Sequence, residues 1–415
     1  MDLEKRDELR LLALIILLGL GLRLAGSILF PVWSGPEEGA HFFYVEFIGQ
    51  NNALPAIKLS AETLVSIYNE SIHQPPLFYM AMAPFYKLAS ALDDKAIVHF
   101  LRLFTVILGT ACIPLTYLIA KKLSFGKSVR IGSAVFIALL PTHVIASSTF
   151  SNSPLNWVFC LGAVYFSIAA MQGKKLVDLA LAGLLVAAAT LTMFTGMSVA
   201  IAFAAAWLVV LFKGKQSLWK RLAVALVPFI ALPVVFRNLA LSGTIMPTEL
   251  RPLMDINLNW VSYYVIYLFP GIWLQEYGVA SIPDFRYLFF AFYGIVSLLA
   301  LAGFAGLLLG SEWNAQRKKI VVAALVLPVL LNLAGLTYIN IFSFATDGRL
   351  LFPTIGLGAI LFIAGLEYFM KFLNQQENRA RALVWFTLFT LLVLDIVVLV
   401  NYNRVLPHVI WAIPA

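Results

Sequence analysis

The sequence predicts an all-α polytopic membrane protein, one transmembrane domain over residues 1–415 with about eleven spanning helices. Three observations predict it. Hydrophobic residues fill 61% of the 415 positions and charged residues only 12%, where a soluble domain carries roughly 25% charged residues. Apolar runs of about 20 residues, the length that crosses a hydrocarbon core of about 30 Å, recur along the whole chain. Lys and Arg gather in every second connection, as a single cytoplasmic face requires.

The apolar runs lie near 9–30, 97–120, 130–149, 154–171, 176–193, 195–212, 221–240, 286–310, 319–341, 350–370 and 381–401. The fifth and sixth are short and joined only by a thin Thr195-Gly196 hairpin. The first follows Lys5, Arg6 and Arg10, and no small-residue cleavage box precedes Pro31, so it reads as a signal-anchor. Basic clusters at 5–10, 121–130, 174–175, 213–221, 317–319 and 371–381 hold 19 of the 29 Lys and Arg residues. They place the N-terminus in the cytoplasm, in a cell (plasma or inner) membrane, and residues 402–415 outside. The net charge of +8 is this bias plus attraction to anionic lipid, and it implies no nucleic acid. Cys112 and Cys160 fall inside apolar runs and read as small core side chains.

Two connections are too long and polar to be simple: 31–96, the first outer loop, and 241–285, the second. In the first, Ser34-Gly35-Pro36-Glu37 reads as a helix start with Ser34 as N-cap. That helix would run to about Gln50 and lie at the membrane interface on Phe42, Phe43, Val45, Phe47 and Ile48. A second juxtamembrane helix follows Pro75-Pro76. The other loop is crowded with Trp260, Tyr263, Tyr264, Tyr267, Trp273, Tyr277 and Tyr287, which read as interfacial anchors.

The candidate chemistry sits on the same outer face. Twelve of the 21 acidic residues map there. In Glu37-Glu38-Gly39-Ala40-His41, a helix brings both carboxylates within reach of the imidazole. That trio suits a general base, and it equally suits a capping box with a second acid favouring the positive helix end. His73-Gln74-Pro75-Pro76 presents two polar side chains ahead of a proline helix start. His99 and Arg102 open the second run as a polar cap. Arg237-Asn238, with Gly243 after them, ends a middle helix; Arg237 either snorkels or binds. Asp347-Gly348-Arg349 turns an Arg fork towards the outer mouth of a late helix, where it suits phosphate or pairs with Asp347. The remaining His residues show no zinc-ligand spacing. No cofactor is required by the sequence, although carboxylates beside a phosphate allow Mg²⁺ or Mn²⁺.

In order along the chain, these motifs resemble the GT-C superfamily of polyprenol-linked glycosyltransferases, which includes protein O-mannosyltransferases and the lipid A aminoarabinose transferase. The resemblance rests on Glu37-Glu38 with His41-Phe42, Pro75-Pro76-Leu77-Phe78-Tyr79, Arg237-Asn238 with Gly243, and Gly348-Arg349-Leu350-Leu351-Phe352-Pro353. It departs where Glu37 replaces the usual Asp, Gln74 precedes Pro-Pro in place of a basic residue, and Leu350 replaces the common Tyr. The resemblance implies a donor sugar on a polyprenyl phosphate, an acceptor hydroxyl on a lipid, glycan or protein, and inverting transfer. It implies Glu37 as base with Glu38 and His41 beside it, a carrier phosphate held by Arg349, Arg237, His73 and Gln74, and support from Asn238, Tyr79, Arg102 and Asp347. The alternatives are a transporter or flippase, or a non-catalytic subunit of envelope glycan assembly. Transporters place ionisable groups and broken helices near the midplane, and the sequence reads as having neither.

Overall fold

The computed structural model describes residues 3–35, 37–55, 74–243, 258–273, 286–342, 348–373 and 377–405. Every regular element among them is helical. In chain order these are α1 (Leu3–Leu29), α2 (Glu38–Asn51), α3 (Leu77–Ala89), α4 (Asp94–Lys122), α5 (Lys127–Leu139), α6 (Pro141–Ser148), α7 (Ser153–Gly173), α8 (Leu176–Thr192), α9 (Ala200–Lys213), α10 (Leu218–Val224), α11 (Leu232–Ser242), α12 (Leu258–Trp273), α13 (Arg286–Leu309), α14 (Ala315–Val321), α15 (Leu327–Phe342), α16 (Ile355–Phe372) and α17 (Glu377–Val405). A 3₁₀ turn, Gly348–Thr354, leads into α16.

Nine helices among the described residues are long and apolar enough to span a bilayer, and the bent pair α5–α6 makes a tenth. The expected count of about eleven is not reached, because α8 has only 17 residues. At 1.5 Å per residue that is about 25 Å, short of a hydrocarbon core of about 30 Å. Apolar side chains such as Leu14 and Ile107, each more than half exposed, face outward as lipid-facing residues do.

The first loop is helical, as expected, but it builds its own core. Phe42, Val45 and Ile48 of α2 are buried against Phe78, Tyr79 and Met82 of α3 and Val98 and Leu101 of α4. These faces are spent on protein, where the sequence suggested the membrane interface. Within the second loop, α12 is a further helix. Trp260, Tyr264 and Trp273 are buried in it, so these rings are packing residues, not interfacial anchors. Tyr277 lies outside the described residues. Cys112 and Cys160 are free and buried, as expected.

The α5–α6 pair bends by 52° at Leu140-Pro141. Proline brings no N–H, so the last carbonyls of α5 lose helical partners. Arg23 of α1 replaces them. Its guanidinium donates to Ile137 O at 2.9 Å, Ala138 O at 3.3 Å, Gly19 O at 2.8 Å, Ser147 Oγ at 3.0 Å and His143 Nδ1 at 2.8 Å. Asp395 of α17 is buried within electrostatic reach. The sequence reading of no broken helix and no ionisable group inside the spans is therefore corrected. Arg23 and Asp395 stand alone in apolar runs, and that isolation was the available signal.

Candidate active site

The site begins where α1 gives way to α2. Glu37 precedes the helix in the left-handed region, with φ 58° and ψ 14°, at a cost of roughly 1–2 kcal/mol for a residue with a Cβ. The Ser34 hydroxyl donates to Pro31 O at 2.7 Å, and the residue that caps the helix is Glu37. Pro36 lies outside the described residues. Glu38, one residue after Glu37, gathers the loop's donors. Its carboxylate accepts from Trp33 N at 3.0 Å, Gly35 N at 3.5 Å and Phe150 N at 2.7 Å.

Arg102 completes the hold on Glu38. Nε and Nη2 donate to Oε1 and Oε2 at 2.8 and 2.7 Å, a bidentate fork with both side chains fully buried. The other Arg102 hydrogens reach the carbonyls of Ser27, Phe30 and Pro31 at 3.0, 2.7 and 2.9 Å. Arg102 is thus a cross-brace from α4 to the end of α1, where the sequence suggested a polar cap. His99 does sit at the surface, with Nδ1 3.1 Å from Ser27 O.

The left-handed turn separates the two adjacent carboxylates. Glu38 faces inward, while Glu37 stays 42% exposed on its side chain. One Glu37 oxygen lies 3.6 Å from Arg349 Nη2, and the other lies 3.8 Å from His41 Nε2. At 3.8 Å the His41–Glu37 contact is electrostatic and longer than a hydrogen bond. His41 Nδ1 and the Tyr79 hydroxyl share a hydrogen bond at 2.8 Å. The result is a line running Tyr79–His41–Glu37, with Arg349 on the other side of Glu37.

Burial pushes the His41 imidazole down to about 4; Arg349 adds to this, and Glu37 and Glu38 oppose it. A histidine neutral in the fold protonates first in the unfolded chain, near its ordinary value of 6.5. Its contribution to stability is complete above pH 6.5 and is lost as pH falls from 6.5 towards 4. Thermal midpoints across that window should therefore decline on acidification, and His41→Gln should flatten the decline; an unchanged slope would refute a neutral His41.

The 3₁₀ turn brings Arg349 to Glu37. Gly348 packs so tightly on α12 that a Cβ there would lie 2.2 Å from Gly271 C and Ile272 N. Only glycine fits this close approach. Arg349 is buried, with 9% of its side chain exposed.

Arg237 stands to one side. It lies on α11, which ends at Gly243 with φ 75°, the left-handed cap that the Gly-containing turn predicted. Arg237 donates to Pro55 O at 3.1 Å. Its charge also reaches Tyr44, whose hydroxyl burial pushes up to about 12, with Arg237 opposing. Tyr44 stacks on Tyr79 with centroids 4.0 Å apart, so Arg237 joins the site through an aromatic pair. Asn238 beside it is buried. Gln74 is half-buried at the approach to α3. His73 and Asp347 lie outside the described residues.

Among the described residues no group of three or more His, Cys, Asp or Glu could hold a metal ion. The sequence marks Arg102 as support but not its pairing with Glu38, and Phe150 is the partner that no local motif signals.

The family model for dolichyl-phosphate-mannose-protein mannosyltransferase matches residues 73–240, under half of the chain. The matched stretch includes the Pro75-Pro76 and Arg237-Asn238 motifs. Among solved structures, the Archaeoglobus fulgidus oligosaccharyltransferase tethered with an acceptor peptide aligns at TM-score 0.56 and 14% identity, covering 96% of this chain and 55% of that one. ArnT from Cupriavidus metallidurans in the apo state aligns at TM-score 0.52 and 13% identity, covering 96% and 73%. This chain thus spans about half the length of the oligosaccharyltransferase. No curated protein matches it in sequence. At such identities the likeness is one of fold, and over nearly its whole length the chain has the polytopic GT-C fold shared with these two transferases.

Proposed function

We propose that this protein is a membrane glycosyltransferase that moves a sugar from a polyprenyl-phosphate carrier to an acceptor hydroxyl on the non-cytoplasmic face. One observation carries the reading: residues more than 300 positions apart in sequence converge so that Arg349 lies 3.6 Å from Glu37, beside buried His41. A cation for phosphate and a base for the acceptor are the two parts such a transfer needs.

In this reading the carrier phosphate approaches Arg349 and competes with Glu37 for the guanidinium, leaving the carboxylate to the acceptor. Glu37 takes the hydroxyl proton as the acceptor oxygen bonds to the anomeric carbon. The bond from that carbon to the phosphate oxygen breaks, and the electron pair leaves with the carrier. The single displacement inverts the anomeric centre. The departing phosphate goes from a diester to a monoester and gains negative charge, which a placed cation stabilises most in the transition state. His41, held by Tyr79, orients Glu37, and the Glu38–Arg102 brace fixes the turn that presents it. Arg237 supplies a second cation for the carrier in this reading.

Basic groups meet at the opposite end of α4: Arg130 pairs with Glu8 at 2.8 Å, and Arg317 donates to Ser124 O at 3.2 Å. That segregation supports a cytoplasmic face there and a site facing away from it. The transporter reading draws on the bent α5–α6 helix and the buried Arg23. All five Arg23 donor hydrogens are used within the protein, which favours support over transport.

The test is binding and turnover of a labelled polyprenyl-phosphate sugar by protein in lipid nanodiscs. Arg349→Ala is expected to weaken carrier binding by about tenfold or more, the scale of a charge-assisted contact. Wild-type protein that binds no carrier would refute the transferase reading; vesicle transport without sugar transfer would replace it with the transporter.

A further inference from the structure

α6 is eight residues long, buried throughout, and stands between the two halves of the site. At its start, Thr142 Oγ1 donates to Gly271 O at 3.1 Å, steadying the stretch of α12 on which Gly348 packs. Next, the His143 ring stacks on Phe352, with centroids 5.8 Å apart and planes at 22°. Trp157 closes the triangle, 4.6 Å from His143 and 5.3 Å from Phe352. All three rings are buried. Phe352 comes three residues after Arg349 in the 3₁₀ turn. With three residues per turn, the two share one face. Beyond the end of α6, Phe150 N–H holds Glu38.

His143 is itself anchored. A guanidinium can only donate, so the Arg23 Nη2 contact at 2.8 Å makes His143 Nδ1 the acceptor and fixes the ring plane. Arg23 is pinned to the broken end of α5 and to Ser147 of α6. A continuous path therefore runs from the helix break to His143, then to Phe352 and the turn that carries Arg349. The same short helix leads at its far end to the clamp on Glu38.

We infer that His143 is a positioning residue: through Phe352 it sets the place of Arg349 against Glu37, and it touches no substrate. The inference rests on the reading that Arg349 holds the carrier phosphate. Sequence motifs do not reveal it, because His143 lies in an apolar run whose spacing carries no acid or cation partner.

A double-mutant cycle tests it, with affinity for undecaprenyl phosphate as the readout. His143→Gln keeps an acceptor for Arg23 but removes the ring that stacks on Phe352. It should weaken binding by about tenfold in the native background and by less than about twofold once Arg349 is Ala, since residues acting through one another are not additive. Equal losses in both backgrounds would mark a general packing defect and overturn the inference. So would native affinity in a folded His143→Gln. Phe352→Leu, which leaves no buried donor unpaired, should show the same non-additivity with Arg349→Ala and stands in if the His143 variant fails to fold. If Arg349→Ala alone leaves affinity unchanged, the phosphate assignment itself falls, and that result is distinct from additive losses around a functional Arg349.

Discussion

Glu37→Gln is expected to lower sugar transfer by about 10²- to 10⁴-fold, the range for loss of a general base, while carrier binding stays within a few-fold of native. The substitution keeps the side chain's length and one acceptor oxygen but removes the charge and the basic oxygen. The fall in stability should be smaller than for the fully buried Glu38, because Glu37 is 42% exposed and its contacts to Arg349 and His41 are long, at 3.6 and 3.8 Å. The assay is transfer of labelled sugar in native membranes that contain the acceptor, with binding measured separately. Glu37→Asp separates basicity from reach: it keeps the carboxylate one methylene short and should recover part of the activity. Near-normal transfer by Glu37→Gln removes Glu37 from the reaction.

The adjacent acid should behave in the opposite way. Glu38→Ala leaves Arg102 buried and charged with no carboxylate, and strips Trp33 N and Phe150 N of their acceptor. Breaking a buried pair from one side costs about 3–5 kcal/mol, a large part of a typical stability of about 5–15 kcal/mol. We expect a marked fall in the thermal midpoint in detergent and in recovered monodisperse protein, with Arg102→Ala similar. The combined Glu38→Gln, Arg102→Met variant should regain part of the loss, because no unpaired charge remains. A Glu38→Ala protein with native stability would show that the brace is dispensable. The two predictions together distinguish neighbours that look interchangeable in sequence: one acid for chemistry, one for architecture.

Local periodicity made much of the molecule readable in advance. Apolar run length located each spanning helix, because the bilayer imposes its thickness on the chain regardless of tertiary detail. Pro75-Pro76 marked the start of α3 and Gly243 the end of α11, since both act through backbone φ alone. The i to i+4 spacing of Glu37 and His41 placed them together, a consequence of helix pitch.

Other features depend on which helices meet. Ser34-Gly35-Pro36-Glu37 has the letters of a helix start, but only the fold shows Glu37 left-handed and Glu38 paired with Arg102, 64 positions along the chain. Trp260 and Tyr264 read as membrane anchors until α12 is seen to bury them against Leu350 and Leu351 of the Gly348–Thr354 turn. Arg23 and His143 meet only because Pro141 breaks a helix and leaves carbonyls for a distant guanidinium to satisfy. The sequence by itself determined the membrane class, the spans and the local helix ends, all set by short-range sterics and by solvent. Only the tertiary structure decided which carboxylate is exposed, which is clamped, and that Arg349 faces Glu37. Those outcomes come from contacts between residues far apart in the chain, and no local spacing encodes them.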